Sequence, residues 1–456
     1  MLKDFKNTEV GVIPNDWLLI SYDEAFDFLT TATYSRAQLT ENDEIGYVHY
    51  GDIHTKCLHF IDLDKINLPT IRRELQKNYP LIKDGDVIVV DASEDYEGVG
   101  KSVEVRNLKN RKAISGLHTF LLRNKNETIA NGFKGYIQSN ELVKKQMDTL
   151  ATGLKVYGVS KTNLKKILIP LPPTRAEQTA IALALSEAEG LITQLEKLIA
   201  KKQNIKQGAM QKCLNPDFWD SLDDHDLHNA KKSEKSNNQK NLPDRQAGHS
   251  SEKWEVKKLG EIGECIRGVS YNGERDLFPF DTDKTNRLFR ANNIQECKII
   301  YTDVQYVHNA RVKPTQQMQA NDILICMANG SKVLVGKAAK FKQLDSIKYT
   351  FGAFMGCFRI HSKDADSDFI FYNFLSYNYR SYIEMLLSGS SINNLKPSDI
   401  ESIQIPFPKK EIQTNISKIL SDMDTEIESL EKKLEKYKMI KQGMMQNLLT
   451  GKIRLV

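Results

Sequence analysis

The chain has few of the features that mark secreted, membrane or metal-binding proteins. Its six cysteines are widely spaced and form no Cys-x-x-Cys pair, which argues against a zinc site or redox motif of that type. No run of about 18 apolar residues occurs, and the first residues lack the apolar centre of a signal peptide. We therefore expect a soluble, cytoplasmic protein with reduced thiols and no metal site.

An excess of charge of either sign is also nearly absent. The 456 residues include 64 Lys and Arg against 59 Asp and Glu, which gives a net charge of +5. So small an excess neither requires nor excludes a nucleic-acid partner. The length is sufficient for two or three domains, each with its own core.

What the chain does contain is a long internal repeat. Residues Ile169–Leu214 recur as Ile405–Leu449. Each copy opens with Ile-Pro-x-Pro, continues with a Gln, and closes on Ile-Lys-Gln-Gly-x-Met-Gln. A repeat of this length predicts two equivalent parts in one polypeptide, the result of a tandem duplication.

The segment before the first copy predicts a mixed α+β domain over residues 1–150. Apolar or alternating runs bounded by turn residues indicate strands, and apolar residues near one face indicate a helix over about 129–150. The predicted strands are Ile45–Tyr50, Val87–Val90, Val103–Val105 and Thr119–Leu122.

The segment 251–387 repeats this plan in diverged form. Much of the sequence between its anchor residues differs from the first segment, so we expect one scaffold that carries two different surfaces. The anchors recur 236 residues along the chain: Asp86 as Asp322, Gly100-Lys101 as Gly336-Lys337, Gly116 as Gly352, and Arg123 as Arg359.

The other boundaries follow from the repeat. Residues 215–250 are dominated by Asn, Ser, Lys and Asp, so they are interpreted as a polar linker. The two repeated regions then span 151–214 and 388–456.

Each repeated region contains a predicted long helix. The prolines suit an extended entry and a helix start, and Thr174 with Glu177 fits a capping box. Apolar residues three or four apart describe a coiled-coil seam. They are Ile181, Ile192, Leu195, Ile199, Ile205 and Met210 in the first copy, and Ile416, Met423, Ile427, Leu430, Leu434, Ile440 and Met444 in the second.

A helix of roughly 40 residues is about 60 Å long, which exceeds the length of one DNA turn, about 34 Å. Two such helices most simply pack on each other. The Met- and Leu-rich tails, Ile205–Leu214 and Ile440–Leu449, suit docking of a partner protein. The competing interpretation, core helices of ordinary compact domains, fits poorly with this length and with the repeated ends.

The whole pattern resembles the specificity (S) subunit of type I restriction-modification enzymes. Besides the doubled helix motif, the resemblance is carried by Pro14–Trp17, by Ser388–Ser391 followed by Asn393–Leu395, and by the ending Leu448–Leu455. It covers nearly the whole chain apart from the polar linker. It departs locally, since the second head lacks the opening proline and the first has Thr152–Leu154 in place of the serine-rich form.

The resemblance implies an α+β protein with two homologous target recognition domains, 1–150 and 251–387, in a pseudo-two-fold arrangement and joined by a long antiparallel coiled coil. Each domain would read one half of a bipartite double-stranded DNA site. The helices would fix the unread spacer and dock two methyltransferase (modification) subunits. The chain would be non-catalytic and hold no cofactor. Adenine methylation and restriction, with their S-adenosylmethionine, ATP and Mg²⁺, would belong to modification and restriction (translocase) subunits.

Strings that suggest catalysis are incomplete. Gly98–Ser102 is similar to the end of a phosphate-binding loop, but the required first glycine would fall at Asp95. The matching string in the second head has Ala338, which offers no hydroxyl for magnesium. Three histidines spaced by five are interpreted as ordinary surface or cross-strand residues: His49, His54 and His59.

If the heads bind DNA, affinity should come from cations on phosphates and specificity from side chains at base edges. Lys101 and Lys337 are candidate phosphate contacts, and a structural turn is an equal alternative for both. The diverged loops after the first predicted strand, together with nearby cations, supply the other candidates. They are Tyr34, Ser35, Arg36, Arg111 and Lys112 in the first head, and Tyr271, Asn272, Arg275, Lys332 and Lys348 in the second. The alternative function is a coiled-coil scaffold whose two heads bind proteins.

Overall fold

The computed structural model describes residues 4–75, 79–93, 98, 100–150, 157–216, 254–342, 346–388 and 393–455. The predicted polar linker from residue 217 onward lies outside the described residues, as do Thr152–Leu154. The chain divides into two compact units. The first unit comprises Met1–Lys197 and Glu431–Val456, and the second unit comprises Leu198–Leu430.

The first head consists of short strands and helices. Its strands are β1 Phe5–Thr8, β2 Gly11–Pro14, β3 Leu18–Ser21, β4 Phe26–Leu29, β5 Ile45–Val48, β6 Phe60–Asp62, β7 Thr70–Ile71, β8 Val87–Val90, β9 Ala92–Ser93, β10 Ser102–Arg106, β11 Lys112–Ser115, β12 Thr119–Asn124, β13 Tyr157–Gly158 and β14 Leu168–Leu171. Its helices are α1 Tyr22–Ala25, α2 Tyr50–Lys56, α3 Glu141–Leu150 and α4 Lys161–Lys166, with 3₁₀ turns at Arg36–Gln38, Arg73–Leu75 and Lys134–Ser139.

Two sheets lie at the centre of this head. One has the strand order β4-β12-β8-β10-β6, with β10 and β6 parallel and the other pairs antiparallel. The other has the order β11-β5-β7, with β11 and β5 parallel. Strand β8 is buried on both faces, because Val87 and Val89 face one apolar cluster while Ile88 and Val90 face another.

The four strands predicted for the first head are all present, with some ends shifted, and the predicted helix is present only in part. The predicted strand Ile45–Tyr50 ends at Val48, because the ring of His49 accepts the Gly51 N–H at 3.2 Å and caps α2. The predicted helix over 129–150 is wrong in its first half, where a 3₁₀ turn stands instead. It breaks at Asn140, whose side chain donates to the Leu449 carbonyl oxygen and accepts from the Leu142 N–H at 2.9 Å.

The second head repeats the plan. Its strands are β15 Glu255–Lys258, β16 Gly263–Arg267, β17 Leu277–Phe278, β18 Thr285–Phe289, β19 Ile294–Gln295, β20 Lys298–Ile299, β21 Gln305–His308, β22 Ile323–Cys326, β23 Ala338–Lys340, β24 Tyr349–Phe351, β25 Met355–Ile360 and β26 Gln404–Phe407. Its helices are α6 Leu259–Ile262, α7 Ser367–Phe374, α8 Tyr377–Ser388 and α9 Pro397–Glu401, with 3₁₀ turns at Ala291–Asn293, Asn309–Arg311 and Pro314–Gln316.

Its two central sheets correspond to those of the first head in their inner strands, although the numbers of strands differ. One has the order β16-β25-β22-β23 and is antiparallel throughout. The other has the order β17-β21-β18-β24, in which β18 and β24 run parallel, as β5 and β11 do. Strand β22, like β8, is buried along its whole length. The duplication predicted from the repeat therefore extends to the folds of both heads.

The two repeated regions each contain one long helix of 39 residues, α5 Arg175–Cys213 and α10 Lys410–Leu448. Within each unit, a half of α5 lies beside a half of α10. Residue numbers rise along one helix as they fall along its neighbour, so the pairing is antiparallel in each unit. The ion pairs are Glu189–Lys441 at 2.8 Å and Glu196–Lys438 at 3.4 Å in the first unit, and Lys202–Glu426 at 2.7 Å and Lys206–Asp424 in the second.

The C-terminal end of each long helix is part of a head's core. Leu448 and Leu449 of the second copy belong to the apolar core of the first unit, and Met210 and Leu214 of the first copy belong to that of the second unit. These tails were predicted as partner-docking segments; the four residues named are buried within the units and so are not free for docking, and docking by the exposed rest of the tails stays a prediction. No helix among the described residues is both long and apolar enough to span a membrane.

Candidate functional site

An ion pair fixes the turn that leads into the central strand of the first head. Arg123 of β12 donates from Nε and Nη2 to the two carboxylate oxygens of Asp86, at 3.0 and 2.7 Å. The same carboxylate accepts the Lys83 N–H at 2.8 Å, and Nη2 of Arg123 also donates to the Leu81 carbonyl oxygen at 2.9 Å. The anchor residues found in the sequence are therefore framework residues.

The second head repeats this arrangement bond for bond. Arg359 donates to the two oxygens of Asp322 at 3.0 and 2.7 Å. Asp322 accepts the Gln319 N–H at 2.7 Å, and Arg359 donates to the Gln317 carbonyl oxygen at 2.7 Å. Because all these partners are shared, the ion pair cannot be what distinguishes the two surfaces.

The duplicated Gly-Lys strings form structural turns. Gly100 and Gly336 have positive φ values of +72° and +83°, where a side chain is strained. A Cβ at Gly100 would lie 2.6 Å from Met147, and one at Gly336 would lie 2.9 Å from Ile383. The glycines therefore permit close packing of a helix. A lysine follows each glycine. Lys101 donates to the His54 carbonyl oxygen at 3.0 Å. Lys337 is exposed, and its contact with a DNA phosphate stays a prediction.

The structure separates the predicted DNA-contacting residues of the first head. Tyr34 is half-buried and donates to the Leu75 carbonyl oxygen at 3.0 Å. Ser35 is exposed at the N-terminus of a 3₁₀ turn, and Arg36 on that turn reaches the buried Asp52 at 3.3 Å. The other two, Arg111 and Lys112, are exposed and lie at the start of β11. Arg111 donates to the Leu63 carbonyl oxygen.

Around Tyr50 the first head forms a cluster of rings that sequence reasoning missed. The Tyr50 ring lies 4.5 Å from that of His49, 6.1 Å from that of His54 and 5.5 Å from that of His118. The His118 ring is held by Asp91 at 3.2 Å, and burial raises the pKa of that carboxyl. His49 and His54 were interpreted as surface or cross-strand residues, but they lie at the start of α2 and within it.

In the second head, the predicted loop after β16 is a compact turn. Asn272 Oδ1 accepts the backbone N–H groups of Glu274 and Arg275 at 3.0 and 3.2 Å, which leaves the Arg275 side chain exposed. Tyr271 donates to Gln305 at 2.9 Å. The two remaining predicted cations of this head are also exposed, one after β22 and one before β24: Lys332 and Lys348.

Two matched loops stand out, Gly116–His118 and Gly352–Phe354, which we call the tip loops. The Gly116 N–H donates to the Val48 carbonyl oxygen at 2.9 Å, and the matching Gly352 N–H donates to that of Phe289 at 3.0 Å. A Cβ at Gly352 would lie 3.7 Å from the Tyr271 ring. The predicted Tyr271 loop and the second tip loop are therefore neighbours.

One backbone hydrogen bond at the end of each tip loop is shared by the two heads. The His118 carbonyl oxygen accepts the Asp91 N–H at 3.1 Å, and that of Phe354 accepts the Met327 N–H at 2.9 Å. The side chains differ, and Phe354 is 70% exposed. Sequence reasoning missed both positions, although the signal was present: two different residues follow a matched glycine.

Buried glutamines attach each head to its long helix. Gln178 donates to the Pro172 carbonyl oxygen at 3.1 Å and accepts the Ala130 N–H at 2.7 Å. In the second unit, Gln413 donates to the Pro408 carbonyl oxygen at 2.7 Å and accepts the Asp366 N–H at 2.8 Å. The Gln that follows Ile-Pro-x-Pro in both copies thus ties the helix entry to the head. Thr174 accepts the Glu177 N–H at 3.2 Å, which confirms half of the predicted capping box.

A polar junction recurs between head and helices in each unit. In the second unit, Tyr372 donates to Asp424 at 2.9 Å, and the ammonium of Lys206 pairs with the same carboxylate. In the first unit, Lys441 lies 2.8 Å from Glu189, beside the buried His59 at 3.2 Å. Burial lowers the pKa of His59 to about 4, so the ring is neutral.

These inward-facing lysines explain where the predicted seam fails. Ile205 and Ile440 are 45% and 44% exposed, because the adjacent Lys206 and Lys441 occupy the inward face at that turn. The other predicted seam residues are all at least half-buried, as expected for a coiled-coil seam. Ile181, Ile199, Met210, Ile416 and Ile427 are buried, and Ile192, Leu195, Met423, Leu430, Leu434 and Met444 are half-buried. Within the described ranges, no group of three or more His, Cys, Asp or Glu could hold a metal ion.

Two diverged α+β heads on matched frameworks, each followed by a matched long helix, define a tandem-duplicated, two-headed protein. Residues 251–438 match the type I restriction modification DNA specificity domain. The sequence is 29% identical to a putative type I restriction enzyme MjaX specificity subunit of Methanocaldococcus jannaschii, over 99% of this chain and 97% of that protein. It is 34% identical to the type I restriction enzyme EcoKI specificity subunit of Escherichia coli K12, over 45% of this chain and 44% of that protein.

The fold is similar to that of solved structures. The S subunit of a type I restriction-modification system from M. genitalium has a TM-score of 0.52 at 15% identity, over 95% of this chain and 96% of that one. A chain of another type I R-M system has a TM-score of 0.53 at 16% identity, over 97% and 99%. Over nearly its whole length the chain is therefore similar to type I restriction enzyme specificity subunits, and its second head matches their DNA specificity domain.

Proposed function

We propose that this chain directs a type I restriction-modification complex to a bipartite DNA site, with each head reading one half. The observation that carries the proposal is the contrast within the duplication. The frameworks of the heads agree down to single hydrogen bonds, as at Asp86–Arg123 and Asp322–Arg359, while the tip loops between matched strands carry His118 in one and Phe354 in the other. When one protein carries two half-site readers, the distance between the readers sets the spacing of the half-sites.

The long helices hold the spacing and dock the partner subunits. A helix of 39 residues is about 60 Å long, more than one turn of DNA. Leu191, Leu198 and Ile205, seven residues apart on α5, are exposed, as are Met439 and Ile440 on α10. Exposed apolar side chains at heptad spacing suit a partner helix. Because the repeated region occurs twice, we propose two modification subunits, one for each copy.

We assign the chemistry to the partner chains. Adenine methylation with S-adenosylmethionine belongs to the modification subunits, and ATP- and Mg²⁺-dependent restriction belongs to the restriction subunits, in the cytoplasm where invading DNA is met. The string most suggestive of nucleotide binding, Gly98–Ser102, has a structural explanation, since Gly100 makes room for Met147 and Lys101 binds a backbone carbonyl oxygen. The chain's own part is therefore recognition and assembly.

Sequencing of methylated DNA tests the proposal. The chain is co-expressed with the modification subunits of its own system in a host without adenine methylation. We expect methylation at one bipartite sequence. Exchange of residues 1–150 for the head of a relative should change one half of that sequence, and exchange of residues 254–388 should change the other. If both halves changed in either chimera, modular reading by the heads would be wrong.

The alternative function is a scaffold whose heads bind proteins. Measurement of DNA binding by the assembled complex distinguishes it from the proposed function. A DNA-reading complex should lose affinity steeply as salt rises from about 50 to 200 mM, because each phosphate contact releases counterions. A mutated half-site should weaken binding at every salt concentration. A complex that forms with partner proteins but has no salt-dependent affinity for its duplex would favour the scaffold.

A further inference from the structure

We infer that the tip loops are the base-reading elements of the two heads, and that Phe354 reads a thymine through its 5-methyl group. This inference rests on the proposed function and names the residue and the base for one half-site. The tip position is the C-terminal residue of each loop, His118 in the first head and Phe354 in the second.

The second tip loop is held rigidly, as base reading requires. Its flanking residues Phe351 and Met355 are buried. The carbonyl oxygen of Phe354 accepts two backbone N–H groups, those of Met327 at 2.9 Å and Ala328 at 3.0 Å. A side chain on so fixed a backbone loses little conformational freedom on binding, and its position relative to the framework is set before DNA arrives.

The side chain itself is exposed and apolar. Phe354 is 70% exposed at the end of its loop. The neighbouring segment begins at Ala328 and carries three accessible polar residues, Asn329, Ser331 and Lys332. In the major groove, the apolar feature that a base offers is the thymine 5-methyl group, and phenylalanine is among the side chains that contact it. The surrounding polar groups suit phosphates and other base edges.

A DNA partner fits the tip position better than a protein partner. The two modification subunits proposed above are copies of one protein, so the residues that dock them should be alike in both heads. The tip position shares one backbone hydrogen bond between the heads, from Asp91 in the first and from the matching Met327 in the second, but it carries histidine in one and phenylalanine in the other. Two different half-sites demand such a difference, and two identical partners would disfavour it.

Deoxyuridine, which lacks the 5-methyl group, provides the probe. The half-site of the second head is the half that stays unchanged when residues 1–150 are exchanged. Duplexes with single thymine-to-deoxyuridine replacements in that half are titrated with the full complex. We expect one replacement to weaken binding about fourfold, the value of one buried methyl group. In the Phe354→Ala complex the same replacement should have no effect, and methylome sequencing should show relaxed preference at that base pair.

Met385→Ala is the matched control, because Met385 is a 60% exposed apolar residue of the same head. This variant should keep the wild-type response to deoxyuridine. The inference is overturned if that half-site contains no thymine, or if Phe354→Ala and wild type respond alike to every replacement. It is also overturned if Phe354→Ala fails to assemble with modification subunits while Met385→Ala assembles. A wild-type complex that methylates no bipartite sequence would instead overturn the proposed function.

Discussion

Arg123 binds both carboxylate oxygens of the buried Asp86, and 236 residues later Arg359 binds Asp322 with the same pair of distances, 3.0 and 2.7 Å. Two-point pairing of guanidinium and carboxylate fixes the orientation of both groups. Each pair joins the turn before a central strand to the strand beside it. The duplicated frameworks therefore agree at the level of single hydrogen bonds.

Removing one partner of these pairs should be strongly destabilising. For Asp322→Ala we expect a loss of about 3–5 kcal/mol in the free energy of unfolding of the second unit, because Arg359 would be left buried and unpaired. Urea denaturation measures it. Lys65→Ala, which removes an exposed partner of Asp62, should cost less than about 1 kcal/mol. A similar small loss for Asp322→Ala would contradict the framework role.

Replacement of Gln178 by leucine should loosen the first head from α5. The change leaves the Ala130 N–H and the Pro172 carbonyl oxygen buried without their partner, at a cost of about 1–3 kcal/mol each. Hydrogen exchange followed by mass spectrometry should show faster exchange in the segment that contains Ala130. Gln203→Leu, at an exposed site on the same helix, should leave exchange there unchanged.

His59 should make the first unit less stable in mild acid. Its pKa is about 4 in the folded protein because burial outweighs the attraction of Glu189, whose carboxylate also binds Lys441 at 2.8 Å. The unfolded value is about 6.5, so the unfolded chain binds more protons between these two pH values. Stability is therefore lost as pH falls below about 6.5, by about 2 kcal/mol at pH 5.

The variant His59→Gln isolates this effect. Glutamine can still donate to Glu189 but does not titrate. Denaturation at pH 7 and pH 5 should show a drop for the wild type that exceeds the drop for the variant by about 2 kcal/mol. Equal drops in the two proteins would mean that His59 is not the group responsible.

A matched lengthening of both helices should lengthen the unread DNA spacer. Seven residues inserted after Gln194 and seven after Lys436, near the Glu196–Lys438 ion pair, keep the apolar seam in register. They add about 10 Å of helix, equivalent to about three base pairs. Methylome sequencing should show both half-sites unchanged and the spacer longer. An active complex with the original spacer would refute the spacing role of the helices, and insertion in α5 alone should prevent assembly.

The sequence predicts what local patterns encode. Valine and isoleucine runs gave strand β8 to the residue, and the repeated heptad pattern gave α5 and α10. It does not predict features that depend on distant partners. The break at Asn140 requires Leu449, which is 309 residues away, and no local pattern announces that contact.

The candidate site was predictable only in part. Divergence between the heads pointed to surface loops, and the loop of Tyr271 and Asn272 was chosen only because it follows a strand. The matched glycines marked the tip loops in the sequence, but the backbone bonds of Gly116 and Gly352 were needed to show that both loops are held at equivalent strands. The fold determines which duplicated positions occupy equivalent places in the two heads. The sequence alone therefore did not single out His118 and Phe354.

The placement of Leu448 and Leu449 in the core of the first unit also bears on the order in which the two units can complete their folding during synthesis. The second unit is one continuous stretch, Leu198–Leu430, and its whole sequence is made before those leucines leave the ribosome. The first head is translated first, but part of its apolar core stays uncovered until Leu448 and Leu449 have been synthesised. A chain truncated within α10 would therefore have a first head with exposed apolar core residues, which is the kind of surface that chaperones and proteases act on.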